Sequence, residues 1–289
     1  VEKSKQEILK TPLISFVVVN YNGEEYLRRC LSSIEKEPID FECIVVDNGS
    51  IDNSRKVIEG FNVIRVFNKK NRGYPRAVNQ GIGKSKGKYI FLLSPTTYLK
   101  EGSLKRMIHG IEQDDIGAVA PKLLDEKGRA IHSIRSIPTP LSFFWETIGG
   151  SRIFPFVSPW KLPHFDYSKK QEVKQPMSCA FLIKREVINE IGLFDERFFL
   201  YFSDIDFSKR LLKKYKTYYL AEAKAIHERG GTTVNLGAKR IRILYRDLIY
   251  YLKKHHPLSL PFIGILIIAI GELRYLCSKL IQSLRVGKK

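Results

Sequence analysis

The chain has 289 residues, room for one large domain or two small ones, and its 44% hydrophobic and 27% charged shares suit an ordinary globular core. Gly (20) and Pro (13) are near average, which excludes a collagen-like or low-complexity chain. Lys and Arg number 49 against 30 Asp and Glu, a formal charge of +19, so a polyanionic partner is expected: nucleic acid, anionic lipid or a phosphorylated substrate.

Val1–Lys10 is polar and lysine-rich with no apolar run behind it, so it does not read as a signal peptide. A continuous β-branched run, Ile14–Asn20, predicts a strand buried on both faces. Leu27, Leu31 and Ile34 then recur at helical spacing between Glu24 and Ile34. Phe41–Val46 predicts a second buried strand, closed by the turn cluster Asp47-Asn48-Gly49-Ser50, with a helix from Asn53 to Glu59. Val63–Phe67 reads as a strand, Gly73–Lys84 as a helix and Tyr89–Leu93 as a fourth strand. This alternation argues for a parallel α/β sheet.

From Lys122 to Val173, five prolines (Pro138, Pro140, Pro155, Pro159, Pro163) predict loops over a hairpin. Trp145, Trp160 and their neighbouring phenylalanines are expected to pack in a core or to serve as an acceptor platform. His132 and His164 read as surface or loop residues. A strand at Ser178–Lys184, short helices at Glu186–Ile191 and Asp204–Lys214, and a strand at Thr217–Ala221 follow.

Cys30, Cys43, Cys179 and Cys277 are widely spaced with no CxxC pair, which excludes a zinc knuckle and fits buried thiols in a reducing compartment. The last fifty residues differ from the rest. From Lys239 to Lys289, eleven Lys or Arg face only Asp247 and Glu272, around an uncharged stretch, Leu258–Gly271. Fourteen residues fall short of the roughly 20 that span a bilayer. The stretch reads as a buried helix, as a helix in the membrane interface, or as a span extended to Ile281. His255-His256, inside the basic run, reads as solvated or lipid-facing.

Three strand ends carry polar side chains: Asn20-Tyr21-Asn22, Asp47, and Ser94-Pro95-Thr96-Thr97. In open α/β sheets ligands bind at the carboxyl ends of strands. Asp47 there suits hydrogen bonds to a ribose or base, or simple turn chemistry. Asp204 and Asp206 lie in an aromatic stretch before a helix. Shielding raises a carboxylate pKa and a helix N-terminus lowers it, so such a group suits a general base. Ser203 and Asp206 also resemble a capping box. Positions i and i+2 do not share a helix face, so one aspartate faces a site and the other is structural.

These motifs, VVVNYNGEEYLRRCLSSI, IVVDNGSIDNS, NRGYPRAVNQGI, GKYIFLLSPTT, GLFDERFFLYFSDIDFSKRL and the closing His227-Glu228-Arg229-Gly230-Gly231, resemble in order and spacing the family 2 glycosyltransferases, rhamnosyltransferase-like branch, from Ile14 to Thr233. The resemblance implies a GT-A fold: a Rossmann-like, mostly parallel sheet with flanking helices, over residues 11–235. Residues 11–121 would form the nucleotide-sugar half and 122–235 the acceptor half, with 236–289 a basic, partly apolar helical segment. It implies inverting transfer from a nucleotide diphosphate sugar to an acceptor hydroxyl. Asn20, Tyr21, Asn22 and Asp47 would hold nucleobase and ribose. Arg72, Gly73 and Asn79 would lie near ribose and diphosphate, with Ser94 and Thr96 also on the donor. Asp204 matches the catalytic base and His227 a histidine beside diphosphate or metal.

The chain departs from that pattern at two places. The family's Asn-Pro-Asp-Thr-like segment, whose aspartate binds Mg²⁺ or Mn²⁺, is Ser94-Pro95-Thr96-Thr97, and hydroxyls are poor ligands for such ions. Ser203 stands where the branch usually has Glu. Three accounts stay open: cations (Arg72, Arg76, Lys69) replace the metal; Asp47, His227 and the diphosphate hold it weakly; or the chain binds nucleotide sugar or a partner enzyme without catalysis. The branch suggests dTDP-rhamnose as donor and a surface polysaccharide or lipid-linked saccharide as acceptor. The basic C-terminus suggests a peripheral place on the anionic inner face of the cytoplasmic membrane. No nucleic-acid module is visible.

Overall fold

The computed structural model describes residues 11–228 and 236–286. The expectations for Val1–Lys10 and for Arg229, Gly230 and Gly231 lie outside the described residues.

The first half alternates strand and helix: β1 (Ile14–Asn20), α1 (Glu24–Glu35), β2 (Phe41–Asp47), α2 (Ser54–Glu59), β3 (Ile64–Phe67), α3 (Tyr74–Lys84) and β4 (Tyr89–Leu93). Next come β5 (Thr97–Leu99), α4 (Ser103–Ile111), β6 (Ile116–Leu124), β7 (Ile134–Arg135), α5 (Pro140–Thr147) and α6 (Gly150–Ile153). The remainder is β8 (Gln171–Glu172), β9 (Gln175–Pro176), β10 (Ala180–Lys184), α7 (Arg185–Ile191), α8 (Ser203–Leu211), β11 (Lys216–His227), α9 (Lys239–His255) and α10 (Leu260–Val286).

The main sheet runs β3-β2-β1-β4-β10-β6-β11-β5, with β8 on β11. Strands β3, β2, β1 and β4 are mutually parallel. Strand β10 runs antiparallel between β4 and β6, and β11 lies parallel to β6. Because the chain winds outward from β1 in both directions, the carboxyl ends of β1, β2 and β4 meet at one edge. The buried runs of β1 and β4 sit between two apolar layers. One contains Leu27 and Leu31 of α1, the other Val78 and Ile82 of α3.

The middle differs from the expectation. A tight turn at Asp125–Arg129 does close a small hairpin, bridging Leu124 and Ala130. The prolines, however, do not keep the rest as loop. Pro140 occupies the first turn of α5, where its missing N–H leaves no bond unmade, and Thr139 and Ser142 form a reciprocal capping box. Strand β11 also continues past Ala221 to His227, through a register shift between Leu220 and Lys224.

The C-terminal segment does not stand apart. Helix α9 buries Tyr245, Leu248, Tyr251 and Leu252 in a cluster with Phe143 of α5, Phe202, Ile205 of α8 and Ile267 of α10. Cys30 and Cys43 are buried as expected, whereas Cys277 is exposed on α10.

Candidate active site

Asn20 and Asp47 end adjacent strands as register partners. Asn20 Nδ2 donates to Asp47 Oδ1 (3.1 Å) and to Ser50 Oγ (3.1 Å). The other carboxylate oxygen accepts the Ser50 N–H (3.2 Å) and pairs with Arg55 Nε (3.3 Å). Asn22, at φ +50°, donates its N–H to Ser50 Oγ and accepts the Ile51 N–H, each at 2.9 Å. Asn20, Asn22 and Asp47 are thus one knot around Ser50. Asp47 is fully buried, so its carboxylate orders the turn, while half-exposed Arg55, over the Phe67 ring, reaches solvent above it. Ser50 and Arg55 were not singled out from the sequence. Their signal is a hydroxyl inside the Asp-Asn-Gly-Ser turn and a cation in the first turn of the next helix.

Asn48 ties this knot to the next loop. Its Nδ2 donates to Asn71 Oδ1 (3.1 Å) and the Gly73 carbonyl (3.2 Å), and its Oδ1 accepts the Arg72 N–H (3.1 Å). Arg72 is therefore exposed on an anchored turn. Gly73 has φ +89°, and a Cβ there would sit 2.7 Å from the Phe199 carbonyl oxygen. That oxygen accepts the Tyr74 N–H at 2.6 Å. A small cavity of about 70 Å³ opens here, between Tyr21, Asn48, Asn71 and Tyr74 on one side and Phe199, Leu200 and Leu236 on the other.

Asn79 is buried and bonded within the protein. Both ends of its amide grip Phe194, donating to the carbonyl (2.8 Å) and accepting the N–H (3.1 Å), and it also bonds Glu196. It fixes the loop before α8, so both ends of the amide are committed within the protein. Arg76 likewise pairs with Glu196 at 2.7 Å, which neutralises it as a diphosphate cation. A cavity of about 1130 Å³ lies between α1 and α4, and none of the sequence candidates lines it.

At the end of β4, Ser94 Oγ and Thr96 Oγ1 lie 2.9 Å apart. His227 Nδ1 is 2.9 Å from Thr97 Oγ1 and 3.3 Å from Thr96 Oγ1, because β11 pairs Thr97 with His227. The structure therefore brings Ser94, Thr96 and His227 together. Neutral hydroxyls already bonded to each other and an imidazole do not fit a hard divalent cation. No cluster of three His, Cys, Asp or Glu suited to a metal occurs among the described residues. Asp47, placed with Ser50 and Arg55, is not in this group.

Asp204 lies in the first turn of α8, half-buried. Its Oδ1 accepts the Ile205 N–H (2.9 Å) and its Oδ2 the Gln175 side-chain amide (3.3 Å). Burial pushes its pKa up, opposed by the Ile205 N–H and by the nearby Arg135, whose guanidinium stacks on Trp160. Its charge also acts on Tyr74 and Cys179; Cys179 is pushed up to about 12 mainly by burial and bonds Thr97. Cys179 in turn lies at the end of β4, where its carbonyl accepts the Ser94 N–H at 2.9 Å. Gln175 and Arg135, on the short β7–β9 pair, had no signal in the sequence beyond their polarity.

The capping box expected at Ser203 does not form. Phe202 is the N-cap, in the left-handed region at φ +64°, and Ser203 Oγ has no hydrogen-bond partner among the described residues. An aromatic held there is strained, a feature concentrated at functional sites. Asp206 is the structural aspartate: buried, it meets Lys254 Nζ (2.6 Å), His255 Nε2 (2.7 Å) and Arg210 Nε (3.0 Å). His255 is accordingly not a solvated or lipid-facing residue.

A family description, glycosyl transferase family 2, matches residues 15–192, more than half of the chain. An N-acetylglucosaminyl-diphospho-decaprenol L-rhamnosyltransferase of Mycobacterium tuberculosis is 24% identical over 273 residues, 85% of this chain and 86% of that one. Glycosyltransferase GlyG of Streptococcus pneumoniae is 34% identical over 113 residues, 37% of this chain and 38% of that one. Among solved structures, the mannosyltransferase PcManGT from Pyrobaculum calidifontis, in complex with GDP-Man and Mn²⁺, superposes with a TM-score of 0.57 at 12% identity, over 97% of this chain and 80% of that one. S. aureus TarS 1–349 gives 0.53 at 17% identity, over 86% and 74%. The fold is GT-A, and the chain belongs to glycosyl transferase family 2, with the glycosyltransferase activity that membership carries.

Proposed function

We propose that the protein transfers rhamnose, with inversion, from a nucleoside diphosphate donor to a hydroxyl of a lipid-linked saccharide at the cytoplasmic face of a membrane. The observation that carries this reading is Asp204. Its half-buried carboxylate, in the first turn of α8, accepts from the Ile205 N–H and the Gln175 amide, and burial raises its pKa. Single in-line displacement needs a base on the acceptor side, and desolvation makes that carboxylate more basic. The similar mycobacterial rhamnosyltransferase supports the sugar and the acceptor class.

The leaving diphosphate needs its charge stabilised. The donors at position 96 do not suit a divalent ion, so exposed Arg72 and Lys69 take that role. Asn20, Asn22 and Asp47 shape the wall on which the nucleoside rests. A second reading, donor binding without transfer, draws on the same missing carboxylate at Thr96.

The test is incubation of purified protein with dTDP-rhamnose and a polyprenyl-diphosphate-linked N-acetylglucosamine analogue. NMR of the product should show transfer with inverted anomeric configuration. Transfer from a different nucleotide sugar would overturn the rhamnose assignment, and donor binding with no transfer would favour the second reading.

A further inference from the structure

Helix α10 is apolar on both of its faces. Gly264, Ile267 and Gly271 face inward; Gly271 lies against the Tyr245 ring and Ile267 joins the cluster of Leu248 and Tyr251. A helix on a water-facing surface carries polar residues on its outer side. Here Phe262 is 84% exposed and Ile265 76%, and Leu266, Leu273, Leu276 and Leu280 continue the stripe at helical spacing. A second exposed run follows α5, with Ile148, Ile153, Phe156 and Val157. Of the large apolar side chains exposed among the described residues, all but Ile51, Ile64, Phe67 and Leu193 lie in 141–157 or 258–280. The two runs join where Arg274 donates to the Thr147 carbonyl at 2.9 Å, beside Ile148.

We propose that the outer face of α10 and the segment 148–157 form one docking surface for an anionic phospholipid bilayer, lying in its interface. This rests on, and deepens, the membrane-facing reading above. Charge complementarity selects the occupant: exposed Lys239, Arg240, Lys253 and Lys279 flank the stripe, and basic residues near an anionic surface are drawn to it. The apolar stretch Pro257–Leu280 is long enough to cross a membrane. Its packing on α9 argues against crossing. Arg242 pairs with Glu272 at 2.9 Å and its guanidinium lies 3.8 Å over the Tyr275 ring. A crossing α10 would carry that pair and the charged flank of α9 into hydrocarbon, whereas an interfacial helix leaves them among headgroups.

Trp145 provides the probe. It stacks on Phe154 (6.1 Å) and donates to the Val157 carbonyl (2.8 Å), within the proposed surface. In the full chain carrying Trp160→Phe, Trp145 is the remaining tryptophan. Its fluorescence should shift to the blue and be quenched by brominated lipid in vesicles of phosphatidylcholine and phosphatidylglycerol. Phosphatidylcholine alone should bind more weakly. Phe262→Glu with Ile265→Glu, and separately Phe156→Glu with Val157→Glu, should each weaken vesicle co-sedimentation by about tenfold or more without changing Tm, since these side chains are exposed. The proposal fails if anionic vesicles are not bound, if the 156/157 variant binds like the parent, or if the chain resists alkaline extraction from membranes as a span would. It also fails if the lipid-free chain is a dimer that the 262/265 variant dissociates. Loss of transfer to a soluble acceptor with vesicle binding intact would overturn the catalytic reading and leave this surface standing.

Discussion

Asp247 Oδ2 accepts the backbone N–H of Leu200 at 2.9 Å, four residues ahead of Asp204. The same buried carboxylate takes the N–H groups of Phe199 (3.1 Å) and Tyr201 (3.0 Å). The Phe199 carbonyl meanwhile accepts the N–H of Tyr74, the first residue of α3. A single acid on α9 therefore holds the strap that joins the start of α3 to α8, the helix that carries Asp204. Asp247→Asn keeps the shape but removes the charge that three N–H groups share. We expect a stability loss of about 2–3 kcal/mol, measured by urea unfolding, and a lower kcat with little change in KM for donor. An unchanged kcat would show that the strap does not position Asp204.

Asp204→Asn separates stability from function. A carboxyl whose folded pKa is raised costs the folded state stability above its unfolded pKa, because the ionised form is worse solvated there. The amide removes that cost. The variant should melt at a slightly higher temperature while transfer falls by about 10²–10⁴-fold. In the parent enzyme, kcat/KM should drop as pH falls through the raised Asp204 value, and the acid limb should vanish from the residual activity of the variant.

Asp195 and Asp206 have the opposite sign. Burial would raise both. For Asp195, hydrogen bonds from Arg197 and Lys254 outweigh it; for Asp206, those from His255 and Lys254 do. Their folded values are lowered, so the stability they contribute is full above the ordinary aspartate value and is lost as pH falls below it. Stability should decline between about pH 4 and the depressed values, and Asp206→Asn should flatten that decline. Acid titration followed by circular dichroism measures it; an identical slope in parent and variant would count against the α8–α9 network.

Thr96→Asp restores a carboxylate beside His227. The parent should be indifferent to EDTA. The variant should gain stimulation by Mg²⁺ or Mn²⁺, because a charged oxygen now joins the imidazole. If the parent itself needs the metal, the assignment of diphosphate binding to cationic side chains falls.

Much of the parallel half was legible because buried β-branched runs and helical spacing are local signals: β1 begins and ends where Ile14 and Asn20 predict. The site was legible only in part. Asp204 and the polar strand ends stand out by type and position. The partners that give them meaning come from far along the chain: Asn79 binds a loop 115 residues away, and His255 reaches Asp206 over 49. No local pattern encodes such contacts. Pro140 of α5 misled because the residue that marks a break inside a helix also starts one. The last fifty residues looked like an appendage because their charge hid the buried face of α9, where Asp247 points inward.

The most direct test is donor turnover by the purified chain, with and without EDTA, beside Asp204→Asn. Metal-free transfer with Asp204 as base should survive EDTA in the parent and be lost in the variant. Transfer that persists undiminished in Asp204→Asn, or that stops in the parent when metal is chelated, would contradict it.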